Sequence, residues 1–152
     1  MLVKTIELYY NRANVTLTTY VLDDSPEMLN GRKRPAILIC PGGAYLGCSD
    51  REAEPIALRF ASMGYHAFVL RYSTYLNRFL DDIDPAVPVN PDSVHPAPMR
   101  DIGKAMLIIR ENADDWLLDT DKIVLCGFSA GGTIAPCIPS IGTSPFSPTI
   151  LA

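Results

Sequence analysis

Histidine is scarce in this chain, and charge is missing from its last 30 residues. His66 and His95 are the two histidines among 152 residues, and all 13 Lys and Arg and all 17 Asp and Glu lie at or before Lys122. No run approaches the ~18 consecutive apolar residues of a membrane span, so no membrane association is expected. Lys4 and Glu7 stand in the opening segment where a secretory leader needs an apolar core, which points to a cytoplasmic protein. The four cysteines, Cys40, Cys48, Cys126 and Cys137, form no C-x-x-C pair and have no neighbouring histidine, so no zinc site is expected. Cys40 and Cys126 each end a run of strand-forming residues and read as buried free thiols. Basic excess is also lacking. A formal charge of −4 and a pI near 5.0 repel phosphate backbones, and no nucleic-acid partner is expected.

What is present is globular. The chain is 48% hydrophobic and 20% charged, and its length suits one domain. Thr5 to Tyr9 and Val15 to Leu22 are β-rich runs around a polar turn, which predicts an opening antiparallel hairpin. Ala36 to Cys40, Ala67 to Leu70 and Ile123 to Cys126 are apolar without alternation, the pattern of strands buried on both faces. A helix is predicted after Pro55, with Gly64 at its C-terminal cap. Ile102, Ala105, Met106 and Ile109 fall at i, i+3, i+4 and i+7 and predict a second helix from about Pro98 to Asn112. Asp101 is read there as a charge suited to the helix's positive end. Strand, helix, strand, helix, strand predicts an α/β fold with a mostly parallel sheet covered by helices on both faces. The intervening Pro- and Asp-rich segment from Ser73 to Pro98 reads as a surface excursion near a site.

The strongest chemical signal is Gly127-Phe128-Ser129-Ala130-Gly131-Gly132, directly after a buried strand. A strand turning sharply into a helix holds such a serine in a strained conformation, and only very small residues two before and two after let the chain pass. The helix that starts at Ala130 adds unpaired N–H groups suited to a developing oxyanion. Pro41-Gly42-Gly43-Ala44-Tyr45 leaves the first buried strand, and its small residues let backbone N–H groups approach a substrate oxygen.

These two motifs, in this order, resemble the α/β-hydrolase superfamily. The Cys-Pro-Gly-Gly-Ala-Tyr and Gly-Phe-Ser-Ala-Gly-Gly wording is similar to its acetylesterase and xylan-esterase-like branch. The resemblance covers about residues 1–133, the N-terminal half of such an enzyme, and leaves 134–152 as an uncharged Pro- and Ser-rich tail. It implies Ser129 as acyl nucleophile. It implies an oxyanion hole from the backbone N–H of Ala130 with one or two of Gly42, Gly43 and Ala44, and Tyr45 in the substrate pocket. The implied substrate is a small short-chain ester, with no metal or organic cofactor, because attack, proton transfer and oxyanion stabilisation can all come from the chain.

The same family orders its triad as Ser, then Asp or Glu, then His, yet after Ser129 this sequence has no Asp, Glu or His. Impaired catalysis is therefore expected. His66 opens a buried strand and reads as a core histidine, while His95 in the long loop is the one stand-in that could reach the sheet's end. Asp81, Asp82 and Asp84 read as solvated acids rather than a cation site, and Arg32, Lys33 and Arg34 as a solvated turn. Pro136 and Pro139 are expected to cut the helix after Ser129 short. The uncharged tail suggests a truncated or frameshifted sequence, for which a non-catalytic role, at most as an interaction module, is the alternative. With no later strand beside it, the Ile123 to Cys126 strand is expected at an open sheet edge that favours self-association.

Overall fold

The computed structural model describes residues 1–12, 14–76, 90 and 93–135. Five strands form one sheet: β1 (Leu2–Glu7), β2 (Thr16–Val21), β3 (Arg34–Cys40), β4 (His66–Arg71) and β5 (Leu118–Gly127). Their order across the sheet is β1-β2-β4-β3-β5. β1 and β2 pair antiparallel, Leu2 opposite Val21 and Glu7 opposite Thr16, and this hairpin joins the sheet through an antiparallel β2–β4 pairing. β3 runs parallel to both neighbours, with Ala36 opposite His66 on one side and Cys40 opposite Gly127 on the other. The mixed sheet with helices is the expected α/β architecture.

β3 shows why the apolar runs lack alternation. Ala36, Leu38 and Cys40 enter one core with Phe68, Leu70 and Leu125, while Ile37 and Ile39 enter the other with Ala67, Val69 and Cys126. The first core is closed by α2 (Ala97–Glu111), whose Ile102, Ala105, Met106 and Ile109 are all buried, as the helical spacing predicts. The second is closed by α1 (Glu54–Ala61) through Ala57. Gly64 lies just past α1 at φ +92° and donates its N–H to the Ala61 carbonyl, ending the helix in a conformation that glycine adopts without strain. Trp116 stacks on Phe68 with ring centroids 5.5 Å apart.

Four expectations are corrected. Arg34 does not belong to a solvated turn: it opens β3, is buried and lies 3.9 Å from the Asp24 carboxylate. β1 begins at Leu2 rather than Thr5, because its apolar residues Leu2 and Val3 are about half exposed on an outer strand and leave no burial pattern to read. β5 begins at Leu118, so the charged stretch Asp119 to Lys122 belongs to the strand; the register irregularity opposite Arg34 and Ala36 absorbs it. Asp101 is not a charge at the helix's first turn. It is fully buried, accepting the Tyr9 hydroxyl at 2.8 Å and the Ser73 N–H at 2.7 Å, and so ties α2 to the hairpin and to the end of β4. Asp81, Asp82 and Asp84, and the tail from Pro136 onward, lie outside the described residues. No helix among the described residues is long and apolar enough to cross a membrane.

Candidate active site

The two motifs are distant in sequence but leave the sheet side by side. β3 and β5 are parallel neighbours with Cys40 opposite Gly127, so both chains exit at the same end, the carboxyl end, where α/β sheets place their sites. The Phe128 N–H donates to the Cys40 carbonyl at 3.0 Å and carries the pairing one residue past the strand. Ser129 then sits at φ 47°, ψ −116°, a conformation that costs a side-chain-bearing residue on the order of 1–3 kcal/mol. α3 (Ala130–Ile134) starts immediately after it.

Close packing explains the small residues around the serine. A Cβ at Gly127 would stand 2.4 Å from the Gly131 carbonyl oxygen, and one at Gly131 would stand 2.0 Å from the Cys40 carbonyl oxygen. Neither position has room for a methyl group. The Gly131 N–H bonds the Phe128 carbonyl at 2.8 Å and the Thr133 N–H bonds the Ser129 carbonyl at 3.2 Å. Ala130, at the first helical position, has no carbonyl one turn behind it for its own amide. Ser129 is exposed, and among the described residues its hydroxyl makes no side-chain hydrogen bond.

The glycine loop packs against this turn. A Cβ at Gly42 would lie 3.0 Å from Ser129 Cβ and 2.8 Å from the Phe128 carbonyl oxygen. Gly43, Ala44 and Tyr45 follow with φ of 144°, 53° and 61°, three successive left-handed residues that coil the loop back on itself. The Gly43 carbonyl accepts the Leu46 N–H at 2.9 Å, and the Gly42 carbonyl accepts the Ser49 N–H at 2.8 Å. The Gly42 amide is engaged by a carboxylate, donating to Glu52 Oε2 at 2.7 Å. Tyr45, partly exposed, shares a short hydrogen bond with the Thr133 hydroxyl, which bridges the loop to α3.

The structure thus brings Gly42, Gly43, Ala44, Tyr45, Gly127, Ser129, Ala130 and Gly131 together. His66 is elsewhere. It pairs with Ala36 at the opposite end of the parallel strands, four positions and roughly 13 Å along β3 from Cys40. Its Nδ1 accepts the Leu22 N–H at 3.0 Å, and burial lowers its pKa below the ordinary imidazole value. His95 stands exposed in the turn that opens α2. Burial, reinforced by Cys48 and Cys126, pushes the Cys40 thiol far up, and burial pushes Cys48 up to about 11, which disfavours the reactive thiolate at both.

Glu52 and Tyr72 were not among the candidates. Tyr72 is buried directly after β4, and its hydroxyl donates to the Pro41 carbonyl at 2.7 Å. Its place just beyond the carboxyl end of a strand beside β3 was a usable signal. Glu52 gave none, because an acid shortly before Pro55 reads equally well as a helix N-terminal charge. A groove of about 460 Å³ lies away from the serine, between α1 and strands β2 and β4, lined by Tyr20, Glu54 and Arg71 among others.

A central parallel strand pair, a strained serine on the turn into a helix and a glycine loop against it define an α/β-hydrolase, of which this chain spans the N-terminal half. The chain belongs to the BD-FAE family, which it matches over residues 25–142. Over 102 residues it is 39% identical to endo-1,4-beta-xylanase B of Butyrivibrio fibrisolvens, covering 67% of this chain and 14% of that protein. Among solved structures it resembles MGS-M1, an alpha/beta hydrolase enzyme from a deep-sea metagenome library of the Medee basin. That match has a TM-score of 0.73 at 44% identity, over 88% of this chain and 49% of MGS-M1. An acetyl ester-xyloside bifunctional hydrolase from Caldicellulosiruptor lactoaceticus matches with a TM-score of 0.66 at 30% identity, over 87% and 44% of the two chains. The chain therefore spans about half the length of these solved relatives and a small part of the xylanase.

Proposed function

We propose that this chain carries the nucleophile and oxyanion hole of a carboxylic-ester hydrolase acting on short acyl or acetyl esters. The observation behind the reading is Ser129 held at φ 47° on the turn from β5 into α3, with the Gly42–Gly43 loop in contact. In the proposed reaction Ser129 Oγ adds to the ester carbonyl carbon and gives up its proton to a base. The carbonyl oxygen becomes an oxyanion, and collapse expels the alcohol, which takes up a proton, leaving an acyl-serine that water cleaves to the acid. Preorganised amides at the oxyanion supply the main stabilisation. The Ala130 N–H, with that of Gly43 or Ala44, suits the role best, since the Gly42 N–H is already bonded to Glu52. Tyr45 would wall the acyl or alcohol pocket. The relatives' acetyl-ester and xylan chemistry supports an acetylated sugar as the substrate class.

Residues 130–152 contain no Asp, Glu or His, and Ser129 has no side-chain acceptor among the described residues, so turnover by this chain alone should be slow. That same observation favours a second reading, a non-catalytic module that presents the β5 edge to another strand. A fluorophosphonate probe tests the first. Labelling mapped to Ser129 by peptide mass, and lost in Ser129→Ala, supports the esterase reading; equal labelling of the two chains would sink it.

A further inference from the structure

One peptide group of the glycine loop is gripped from both ends. The Pro41–Gly42 peptide has its carbonyl oxygen bonded by the Tyr72 hydroxyl at 2.7 Å and its N–H bonded to Glu52 Oε2 at 2.7 Å. Because a trans peptide is planar, with C=O and N–H pointing in opposite directions, two such bonds fix the rotation of the whole plane about the chain. The next peptide is fixed in turn. The Gly42 carbonyl is held by the Ser49 N–H at 2.8 Å, so the Gly43 N–H must face away from Ser49. Gly43 lies at φ 144°, where a Cβ would stand 2.2 Å from the Gly47 carbonyl oxygen, and without outside restraint a glycine pair is the freest backbone available.

We propose that Glu52 and Tyr72 are positioning residues that aim the oxyanion-hole amides by clamping the Pro41–Gly42 peptide, an inference that rests on the esterase reading of Ser129. Three features support the assignment. The clamped peptide is in contact with the nucleophile, since a Cβ on Gly42 would lie 3.0 Å from Ser129 Cβ. The Tyr72 hydroxyl is buried and held as a donor, its pKa raised by burial first and then by Cys48, Cys40, Tyr45 and Glu52. Glu52 sits in the short helical turn Asp50–Glu52 that leads into α1, so the clamp transmits the rigidity of α1 and β4 to a loop that has neither.

The test compares the wild-type chain with Glu52→Ala, Glu52→Gln and Tyr72→Phe. Gln keeps an acceptor oxygen for the Gly42 N–H, whereas Ala removes it. In amide NMR spectra the Gly42 proton should sit downfield and exchange slowly in the wild type, lose both properties in Glu52→Ala and retain them in large part in Glu52→Gln. Gly43 should shift in Glu52→Ala and in Tyr72→Phe. A Gly42 resonance that is the same in wild type and Glu52→Ala overturns the clamp. Fluorophosphonate labelling of Ser129 should then fall about tenfold in Glu52→Ala and in Tyr72→Phe and recover in Glu52→Gln. Labelling that is unchanged while the amides move would show that the clamp shapes the loop without serving the serine, which also refutes the proposal. A wild-type chain that labels no faster than Ser129→Ala defeats the esterase reading instead, and the amide spectra then decide the clamp by themselves.

Discussion

Glycine-to-alanine substitution at two positions of this chain should change stability in opposite directions, and the contrast tests whether the serine turn is packed as described. At Gly131 the new methyl group would stand 2.0 Å from the Cys40 carbonyl oxygen and 2.7 Å from the Pro41 carbonyl oxygen. Both obstacles are backbone at the end of β3, so neither can rotate away, and relief requires α3 to move outward by on the order of 1 Å. Overpacking of this kind costs typically 1–3 kcal/mol, and the rigid neighbours place Gly131→Ala at the upper end, about 3 kcal/mol. At Gly103, inside α2, a Cβ meets nothing within 4 Å. There alanine gains its better helix propensity, roughly 0.5–1 kcal/mol of stabilisation.

For a domain of this size about 1 kcal/mol moves the melting temperature by about 2–4 °C. Gly131→Ala should therefore melt roughly 6–12 °C below the wild type, and Gly103→Ala roughly 1–4 °C above it. Calorimetry, with urea midpoints as a second measure, separates shifts of that size without ambiguity. A Gly131→Ala chain as stable as the wild type would refute the close approach of α3 to β3, and with it the geometry on which the serine's placement depends. A destabilised Gly103→Ala would refute the helical reading of α2 at that position.

Ser129→Gly should be more stable than Ser129→Ala by about 1 kcal/mol, since glycine relieves the strain at φ 47° and alanine keeps it; equal urea midpoints would contradict the strained turn. His66, whose pKa burial lowers, stays neutral in the fold at pH values where the unfolded chain already protonates, near 6.5. The unfolded state then binds more protons, so this contribution is complete above about 6.5 and is lost as pH falls below it. His66→Asn, which keeps an acceptor for Leu22, should flatten the decline in unfolding free energy between pH 7 and pH 5, and parallel curves for the two chains would exclude the effect. β5 is paired on one side among the described residues, so concentration-dependent self-association is expected in sedimentation equilibrium; a monomer at all concentrations would show that edge to be covered.

The legible parts of this fold are those set by short-range rules. β3 could be read because burial on both faces removes alternation from Ala36 to Cys40. α2 could be read because one apolar stripe at helical spacing faces one core. The serine turn was legible because its steric demand, small residues at 127 and 131, is met within five residues of sequence. Asp101 was not, since its partners Tyr9 and Ser73 lie 92 and 28 residues away and nothing local separates a buried acceptor from a helix-end charge. The extent of β5 was hidden by the charges from Asp119 to Lys122, which lie largely exposed where the β3–β5 register shifts and so leave no burial pattern to read. At the site, the two loops meet through the adjacency of β3 and β5, which is a property of sheet order and not of either motif.

On the esterase reading, what the chain would hold of a hydrolytic centre is the part made of backbone: a turn that exposes a hydroxyl, and amides set by the strand ends and, as proposed, by the clamp. Of the part made of side chains, the acceptor for the hydroxyl proton, none is hydrogen-bonded to Ser129 among the described residues. The two parts leave different signatures in the pH dependence of labelling. A serine assisted by an imidazole reacts at a rate that levels off once the base is neutral, near pH 7. An unassisted hydroxyl reacts through its small alkoxide fraction, and the rate keeps rising about tenfold per pH unit. On the esterase reading we expect the second behaviour for this chain between about pH 6 and 9, at a low absolute rate but still above Ser129→Ala, because the proposed oxyanion-hole amides would act on the oxyanion whatever removes the proton. A plateau near neutrality would refute this and would identify a base in the chain, with His95 in the turn before α2 the residue to substitute first.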